Sequence, residues 1–166
     1  MERSAPVQAS LWSARMVEWS LMAGVILVLA LVFARKVQVV QGQSELAAVQ
    51  STLGALRTAL IFEHLQKSTL GQGPSVVGTQ RNPFELLGRL PANYRGEISR
   101  ASASSAPPGS WLFDRDCVCV GYVPLYPKWF DSPSGNTVAW YRVSGTSGPL
   151  QLLAEEAYVW QDQALN

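Results

Sequence analysis

The chain has few of the residues on which catalytic sites are most often built. Its 166 residues include a single histidine, His64, and only two cysteines, Cys117 and Cys119. A Ser/His/Asp triad would have to recruit that one histidine, and the sequence shows neither a nucleophile elbow nor a Cys/His pairing. We therefore predict a protein that is not an enzyme, with no catalytic residues, no cofactor and no small-molecule substrate.

Runs of basic residues are also missing. The 13 lysines and arginines are nearly balanced by 12 aspartates and glutamates, which leaves a net charge of +1. No window of the sequence holds enough basic residues to neutralise several phosphates at once. The composition therefore argues against nucleic acid as a partner.

The two cysteines stand in the segment Cys117-Val118-Cys119, which does not by itself make a metal or redox centre. A zinc site needs further ligands, and two residues of one strand share a face without the close approach that a disulfide requires. We therefore expect free thiols in a packed face, with a thiol oxidoreductase as the enzymatic alternative. The loop Pro124 to Asn136 offers only Asp131 and Asn136 as oxygen ligands for calcium, so no metal site is predicted.

Apolar residues, in contrast, are concentrated near the N-terminus. The segment Trp19 to Ala34 carries no charge and is followed directly by Arg35-Lys36. As a helix it spans roughly 24 Å at about 1.5 Å per residue, and Met16 and Val17 extend it toward the ~30 Å of a hydrocarbon core. A cleaved secretory signal is the alternative. Glu18 at the start, the basic pair at the end and the lack of a small-x-small cleavage site favour a retained transmembrane anchor.

Beyond the basic pair, the apolar residues thin into a single stripe. Five aliphatic side chains recur at alternating steps of three and four, which places them on one side of a helix. They are Leu46, Val49, Leu53, Leu56 and Leu60. We predict one helix from about residue 12 to about residue 66, able to bend at Gly24, Gly42 and Gly54 and ended by the breaker cluster Gly71-Gln72-Gly73-Pro74. The stripe forms either a coiled-coil seam or, as we prefer, part of the core of the same chain.

Residues 82 to 160 change to short extended runs that are separated by turn residues. Asn82-Pro83 can start a short helix, because proline is accepted at the first helical position. Strands are predicted at about residues 94–100, 111–113, 117–123, 137–143 and 150–160, with a hairpin turn at Asp114-Arg115-Asp116. An antiparallel sheet of about four strands has one face to bury, and the stripe has no other partner, so the two should pack together. The predicted fold class is α+β.

Three short motifs follow one another along this region. They are Asn82-Pro83-Phe84, Pro91-Ala92-Asn93-Tyr94 and Gly109-Ser110-Trp111-Leu112-Phe113-Asp114. Together with a membrane-embedded N-terminal helix, they resemble the superfamily of type IV pilins and the pseudopilins of type II secretion. Within that superfamily, the chain is similar to pilin-like accessory proteins of mannose-sensitive-haemagglutinin-type (MSHA-type) pilus systems or of the general secretion pathway.

The resemblance implies a layout of three segments. Residues 1–11 would be a flexible cytoplasmic N-terminus, residues 12–36 a transmembrane helix, and residues 37–166 a periplasmic pilin-like α+β domain. In that domain the helix would continue to about residue 66, and the sheet would cover about residues 95–160. The chain would cross the inner membrane once. The basic residues on the two sides of the anchor are balanced, so this orientation rests on the resemblance and not on the charge rule.

The resemblance also implies a function in assembly through protein–protein contacts, in a type II secretion pseudopilus or a type IV pilus. The glutamate that follows the cleavage site in the family corresponds to Glu18, which would place processing between Ser13 and Ala14. Its carboxylate would pair with the amino terminus of a neighbouring subunit. The implied partners are other pilin-like subunits and the inner-membrane assembly platform. Because Ser13 and Ala14 replace the glycine and phenylalanine of the family pattern, a processed fibre subunit and an uncleaved membrane resident are both open.

A single-pass, membrane-anchored periplasmic scaffold unrelated to pilins is the alternative function. Such a scaffold would bind its partner through the folded domain, while the helix only anchors it. The aromatic residues Tyr126, Trp129 and Phe130 of the second long loop either cover a sheet edge or form a partner surface. An unbroken helix that packs on the sheet would favour the pilin-like function, whereas a flexible linker at Gly42 or Gly54 would favour the scaffold.

Overall fold

The structure, a computed structural model, describes residues 7–70, 81–145 and 150–165 of the chain, with side chains described from residue 14 onward. Residues 1–6 of the predicted flexible terminus and the predicted breaker cluster Gly71-Gln72-Gly73-Pro74 lie outside these ranges. The chain divides into two compact units, Met1–Gln41 and Gly42–Asn166.

A single helix, α1, runs over Val7–Thr69 and exceeds its predicted range at both ends. The five stripe residues within it are all buried, with exposed fractions of 5% or less, so the predicted intramolecular core is confirmed. Side chains form a hydrogen bond and an ion pair near the C-terminal end of α1. The hydroxyl of Ser68 donates to the carbonyl of His64 at 2.8 Å, and Lys67 pairs with Glu63 at 2.8 Å. A positive charge in this turn interacts favourably with the exposed carbonyl groups at a helix C-terminus.

Eight strands follow among the described residues of the second unit. They are β1 Tyr94–Glu97, β2 Trp111–Asp114, β3 Cys119–Tyr122, β4 Phe130–Asp131, β5 Ala139–Ser144, β6 Gln151–Ala154, β7 Tyr158–Trp160 and β8 Gln163–Leu165. The first sheet has five strands in the order β1-β2-β3-β5-β6, and the second has three in the order β4-β7-β8. A long helix followed by mainly antiparallel sheets confirms the predicted α+β class.

The strand arrangement differs from the predicted single sheet. β4 lies within the predicted loop 124–136 and β8 beyond the predicted strands, and both belong to the second sheet. β1 and β2 run parallel, because the connection between them is a crossover of about a dozen residues that contains the 3-10 helix Arg100–Ser105. The predicted last strand, residues 150–160, is in fact β6 and β7, which belong to different sheets. Glu155 and Glu156 lie between these strands, where the chain crosses from one sheet to the other. Glu155 binds Arg142 of the first sheet, whereas Glu156 binds Ser132 just after β4 of the second.

The central strands β2 and β3 of the first sheet are buried on both faces. Trp111 and Phe113 of β2 join the cluster that contains the α1 stripe, whereas Leu112 between them joins a second cluster. Because neighbouring strand residues point to opposite faces, the two clusters lie on the two sides of the sheet. Ala103 of the 3-10 helix belongs to the second cluster and is 1% exposed. All residues of β2 and β3 are therefore buried, and their sequences lack the alternation of a sheet with one solvated face.

The three motifs that carry the resemblance support one another in the structure. Asn82 caps the predicted short helix, because its side-chain oxygen accepts from the amide of Phe84 at 3.0 Å. Its amide nitrogen donates to the hydroxyl of Tyr94 at 2.7 Å, and the ring of Tyr94 lies 4.3 Å from that of Phe84. Asn93 donates from its side chain to the carbonyl of Gly109. Each motif therefore has a packing role in joining α1, β1 and β2.

Candidate functional site

The first unit presents an apolar helical surface. Residues 14–41 of α1 are all exposed, and the large apolar side chains among them have exposed fractions from 37% at Val37 to 71% at Trp19. The helix from Ala14 onward is long and apolar enough to cross a membrane. A contiguous apolar surface of this kind is unusual on a protein in water, whereas lipid or neighbouring helices would cover it. The unit is thus compatible with a single-pass membrane anchor.

The three N-terminal site residues predicted from sequence all lie in α1. Ser13 falls within the helix, Ala14 is exposed, and Glu18 is exposed at the start of the apolar segment. Among the described residues, no hydrogen bond or ion pair joins the Glu18 carboxylate to another side chain. Two residues on, the hydroxyl of Ser20 donates to the carbonyl of Val17 at 2.8 Å, so that polar group is satisfied within the helix. Glu18 is the acidic group at the start of this surface, which Arg15 precedes and Arg35-Lys36 follows.

The second unit contains a buried carboxylate that sequence reasoning missed. Glu45 of α1 is 6% exposed, and its carboxylate accepts from the hydroxyl of Tyr122 at 2.8 Å. It also accepts from the backbone amides of Leu125 and Tyr126, the latter at 3.1 Å. Burial, followed by the charge and the hydrogen bond of Glu45, raises the pKa of Tyr122 well above its usual range. The available signal was the spacing of four residues between Glu45 and Val49, which places Glu45 beside the stripe.

The predicted aromatic partner surface is largely turned toward the core. Phe130 is half-buried, with its ring 5.5 Å from that of Tyr158 and 5.6 Å from that of Trp160. Trp129 is also half-buried and packs against the main core cluster. Tyr126 is half-buried and is held at its backbone by the glutamate of α1. Of the two roles weighed for this loop, the geometry matches the cover of a sheet edge more closely.

Gly42 is a point of close approach between α1 and this loop. The indole nitrogen of Trp160 donates to the carbonyl of Gly42 at 3.2 Å. A Cβ atom at Gly42 would collide with the side-chain amide of Gln161 and would lie 2.8 Å from a ring carbon of Trp129, so both side chains would have to move. Gly54, in contrast, has nothing within 4 Å of such a Cβ position. The helix continues through both glycines, and Gly42 serves packing where a bend was considered.

Cys117 and Cys119 form a disulfide, so the expectation of free thiols was wrong. The expectation assumed that both residues belong to one strand, but β3 begins only at Cys119. Val118 between them has a φ of 53°, in the left-handed region, and this turns the chain. The two Cα atoms are 5.2 Å apart, within the usual disulfide range.

Charged side chains surround the disulfide. The Nη2 atom of Arg100 lies 3.9 Å from the sulfur of Cys117 and 3.9 Å from that of Cys119. Glu155 has one carboxylate oxygen 3.4 Å from the sulfur of Cys119 and forms ion pairs with Arg100 and Arg142. Burial raises the pKa of Glu155, but the hydrogen bonds and charges of the two arginines outweigh it and hold that pKa below its usual range.

Glu156 has a separate set of partners. Its carboxylate accepts from the hydroxyls of Ser132 and Ser134 and from the side-chain amide of Asn136. The hydrogen bonds from the two serines are the main reason that the pKa of Glu156 lies at about 2. Asn136 therefore acts here as a donor to a carboxylate and not as an oxygen ligand.

Two features of the structure could therefore serve a function other than packing. One is the exposed apolar surface of α1 with the carboxylate of Glu18, which suits contact with lipid and other helices. The other is the disulfide with its charged neighbours, whose sulfurs are bonded to each other and not available as thiolate ligands. Comparison with known proteins found no matching family model, no matching curated protein and no matching solved structure.

Proposed function

We propose that this chain is a non-enzymatic, pilin-like accessory subunit that acts in assembly of a type II secretion pseudopilus or a type IV (MSHA-type) pilus. The observation that carries the proposal is the exposed apolar half of α1, with Glu18 at its start. The packing of the α1 stripe into an α+β core gives further support. In this proposal the anchor lies in the inner membrane, with the N-terminus cytoplasmic and the folded unit periplasmic.

The proposed contacts are with other pilin-like subunits and with the inner-membrane assembly platform. An ionised carboxylate at the edge of a bilayer is costly unless it is paired. Glu18 is exposed on α1, so its partner would come from a neighbouring chain, such as a free amino terminus. Pairing the two charges while the apolar helical surfaces pack together would favour assembly over the isolated subunit.

Replacement of Glu18 tests this proposal. The tagged chain, expressed in a host with a pilus or secretion system, should recover other pilin-like subunits from membranes. We expect Glu18→Ala to reduce that recovery at least tenfold, whereas Glu18→Asp, which retains the carboxylate, should preserve most of it. Gln50→Ala, at an exposed position of the same helix, controls for a general effect of substitution in α1. Equal recovery with Glu18→Ala and the unmodified chain would contradict the proposed role.

The mass and N-terminal sequence of the chain recovered from membranes distinguish two forms of this function. A start at Ala14 would identify a processed subunit that can enter a fibre. A start at Met1 or Glu2 would identify a permanent membrane resident that acts in docking or nucleation. The host must contain a prepilin peptidase, and a known pilin processed in the same cells provides the control.

A scaffold unrelated to pilins is favoured by one observation in the second unit. Near the end of α1, Ile61, Phe62 and Leu65 have exposed fractions of 48%, 63% and 56%. A surface of this kind can bind a partner protein. For a scaffold, Phe62→Ser with Leu65→Ser should abolish partner recovery while Glu18→Ala leaves it unchanged, which is the reverse of the assembly prediction.

A further inference from the structure

The disulfide between Cys117 and Cys119 constrains the chain very little. A disulfide stabilises a fold mainly by restricting the unfolded chain, and this effect grows with the length of the closed loop. Here the loop contains only Val118, so the restriction is near its minimum. Val118 is also β-branched and has a φ of 53°, which such residues rarely adopt. Reduction of the bond would therefore cost the fold little, while Val118 stays held by the hydrogen bond from the amide of Val143 to its carbonyl and by its packing on the main core cluster.

The two sulfurs differ in access. Cys119 is fully buried and belongs to the second core cluster, whereas Cys117 is half-buried at the edge of that cluster. Thiol–disulfide exchange begins with attack of an external thiolate on one sulfur, and the other sulfur then departs as a thiolate. Attack is thus directed to Cys117, and Cys119 is the sulfur that leaves.

Arg100 is placed to stabilise that leaving thiolate. Its guanidinium lies 4.8 Å from the ring centroid of Trp140 and is ion-paired with Glu155, which fixes it 3.9 Å from both sulfurs. The ring of Trp140 fits there because Gly121 has no Cβ, which would approach that ring to 2.7 Å. The geometry around the sulfurs is therefore built by packing and ion pairing together.

Charges of both signs lie beside the two sulfurs. Glu155 lies 3.4 Å from the sulfur of Cys119, and buried Asp114 is the partner of Cys119 across the β2–β3 ladder, so these two carboxylates balance Arg100 and Arg142. The guanidinium of Arg100, 3.9 Å from both sulfurs, is the cationic neighbour of a thiolate formed there. Cationic neighbours lower the pKa of a cysteine and stabilise its reduced form, which makes a disulfide easier to reduce.

We propose that Cys117–Cys119 is an exchangeable disulfide that reacts reversibly with a low-molecular-weight thiol such as glutathione. The external thiolate attacks Sγ of Cys117, the bond to Cys119 breaks, and its electron pair leaves on Cys119 as a thiolate beside Arg100. A second external thiolate attacks the bound thiol's sulfur in the mixed disulfide and releases Cys117. Two thiols are oxidised to one disulfide, and their two protons are available to the two cysteines. This site goes beyond the proposed assembly function and does not depend on it.

The test follows reduction of the full-length chain in detergent micelles by reduced glutathione. Aliquots are alkylated over time, and the mass increase of two alkyl groups measures the reduced fraction. We expect Arg100→Gln to slow reduction severalfold, because the thiolate that leaves on Cys119 loses its cationic neighbour. Glu155→Gln should accelerate it severalfold, because a negative charge beside Cys119 is removed. Arg115→Gln, which breaks only the exposed ion pair with Glu97, should leave the rate unchanged.

The first two variants should change the rate of reduction in opposite directions, and this distinguishes an effect of charge from a general loosening of the fold. A variant that merely loosens the fold would accelerate reduction, so acceleration in both Arg100→Gln and Glu155→Gln would overturn the proposal. Resistance of the unmodified chain to millimolar glutathione over hours would overturn it as well. Oxidised glutathione should form a mixed disulfide at least tenfold faster on Cys117 in the Cys119→Ser variant than on Cys119 in the Cys117→Ser variant. Equal rates would contradict the assignment of the attacked sulfur.

Discussion

Removal of the Glu45 carboxylate should destabilise the second unit more than any exposed substitution in α1. Three donors converge on this carboxylate, namely the hydroxyl of Tyr122 and the amides of Leu125 and Tyr126. In Glu45→Ala all three lose their acceptor, and the short alanine side chain cannot replace it. The helical propensity of alanine is slightly better than that of glutamate, so propensity alone would predict the opposite effect.

The magnitude follows from the burial of each donor. A buried polar group without a partner costs about 1–3 kcal/mol. Tyr122 is only 4% exposed, so its hydroxyl should be near the middle of that range, whereas water can partly reach the loop amides beside exposed Leu125. We expect Glu45→Ala to lower the free energy of unfolding by about 3 kcal/mol in total. Tyr122→Phe, which leaves the two amide contacts in place, should cost about 1.5 kcal/mol.

Urea unfolding of the full-length chain in micelles, followed by tryptophan fluorescence, measures these changes. Trp111, Trp140 and Trp160 are buried in the second unit and report its unfolding. A double-mutant cycle between Glu45→Ala and Tyr122→Phe should give a coupling of about 1–2 kcal/mol. Gln50→Ala should stay within about 0.5 kcal/mol of the unmodified chain. The reasoning is refuted if Glu45→Ala resembles Gln50→Ala, or if the cycle shows no coupling.

Two further predictions concern packing and pH. Gly42→Ala should destabilise the second unit by about 1–2 kcal/mol, because its Cβ collides with the side chain of Gln161 and the indole ring of Trp129. Gly54→Ala, the matched control with open space at its Cβ, should stabilise the helix by about 0.5–1 kcal/mol in the same urea titration, and equal effects would contradict the close approach. Burial is the main reason that the pKa values of Tyr122, Tyr141 and Tyr158 are raised above 10 in the folded chain. The unfolded chain therefore loses these protons first, so stability is full below pH 10 and should fall by up to about 1.4 kcal/mol per pH unit per tyrosine above it. Denaturant titrations from pH 9 to about pH 12 measure this fall, and a constant free energy of unfolding would exclude it.

Local signals predicted several elements correctly because they act between neighbouring residues. Asn82 caps its short helix as its type and position before proline indicate. The hairpin turn between β2 and β3 was also predicted, and Asp114 accepts there from the amide of Asp116 at 2.9 Å. In contrast, the partners of Glu155 lie 55 and 13 residues away along the chain. No local pattern indicates such partners, so the division of the last strand was missed.

The same distinction applies to the candidate sites. The apolar segment and Glu18 can be identified from composition and order alone, because a membrane-spanning helix needs only a long run of apolar residues. The contacts of Arg100 with the two sulfurs join residues 17 and 19 positions apart. They also require the left-handed turn at Val118, which its β-branched side chain disfavours. Sequence reasoning therefore expected free thiols where the fold places a disulfide.

The sequence by itself determined the apolar segment, the helical stripe and the α+β class, since hydrophobic periodicity reflects which side of each element is removed from water. Only the tertiary structure decided what Glu45, Gly42 and the cysteine pair do. The carboxylate of Glu45 binds the loop, and Gly42 contacts an indole, only because the fold brings segments that are distant in sequence within a few ångströms of each other. These long-range contacts depend on the packing of the whole second unit, in which many weak interactions act together.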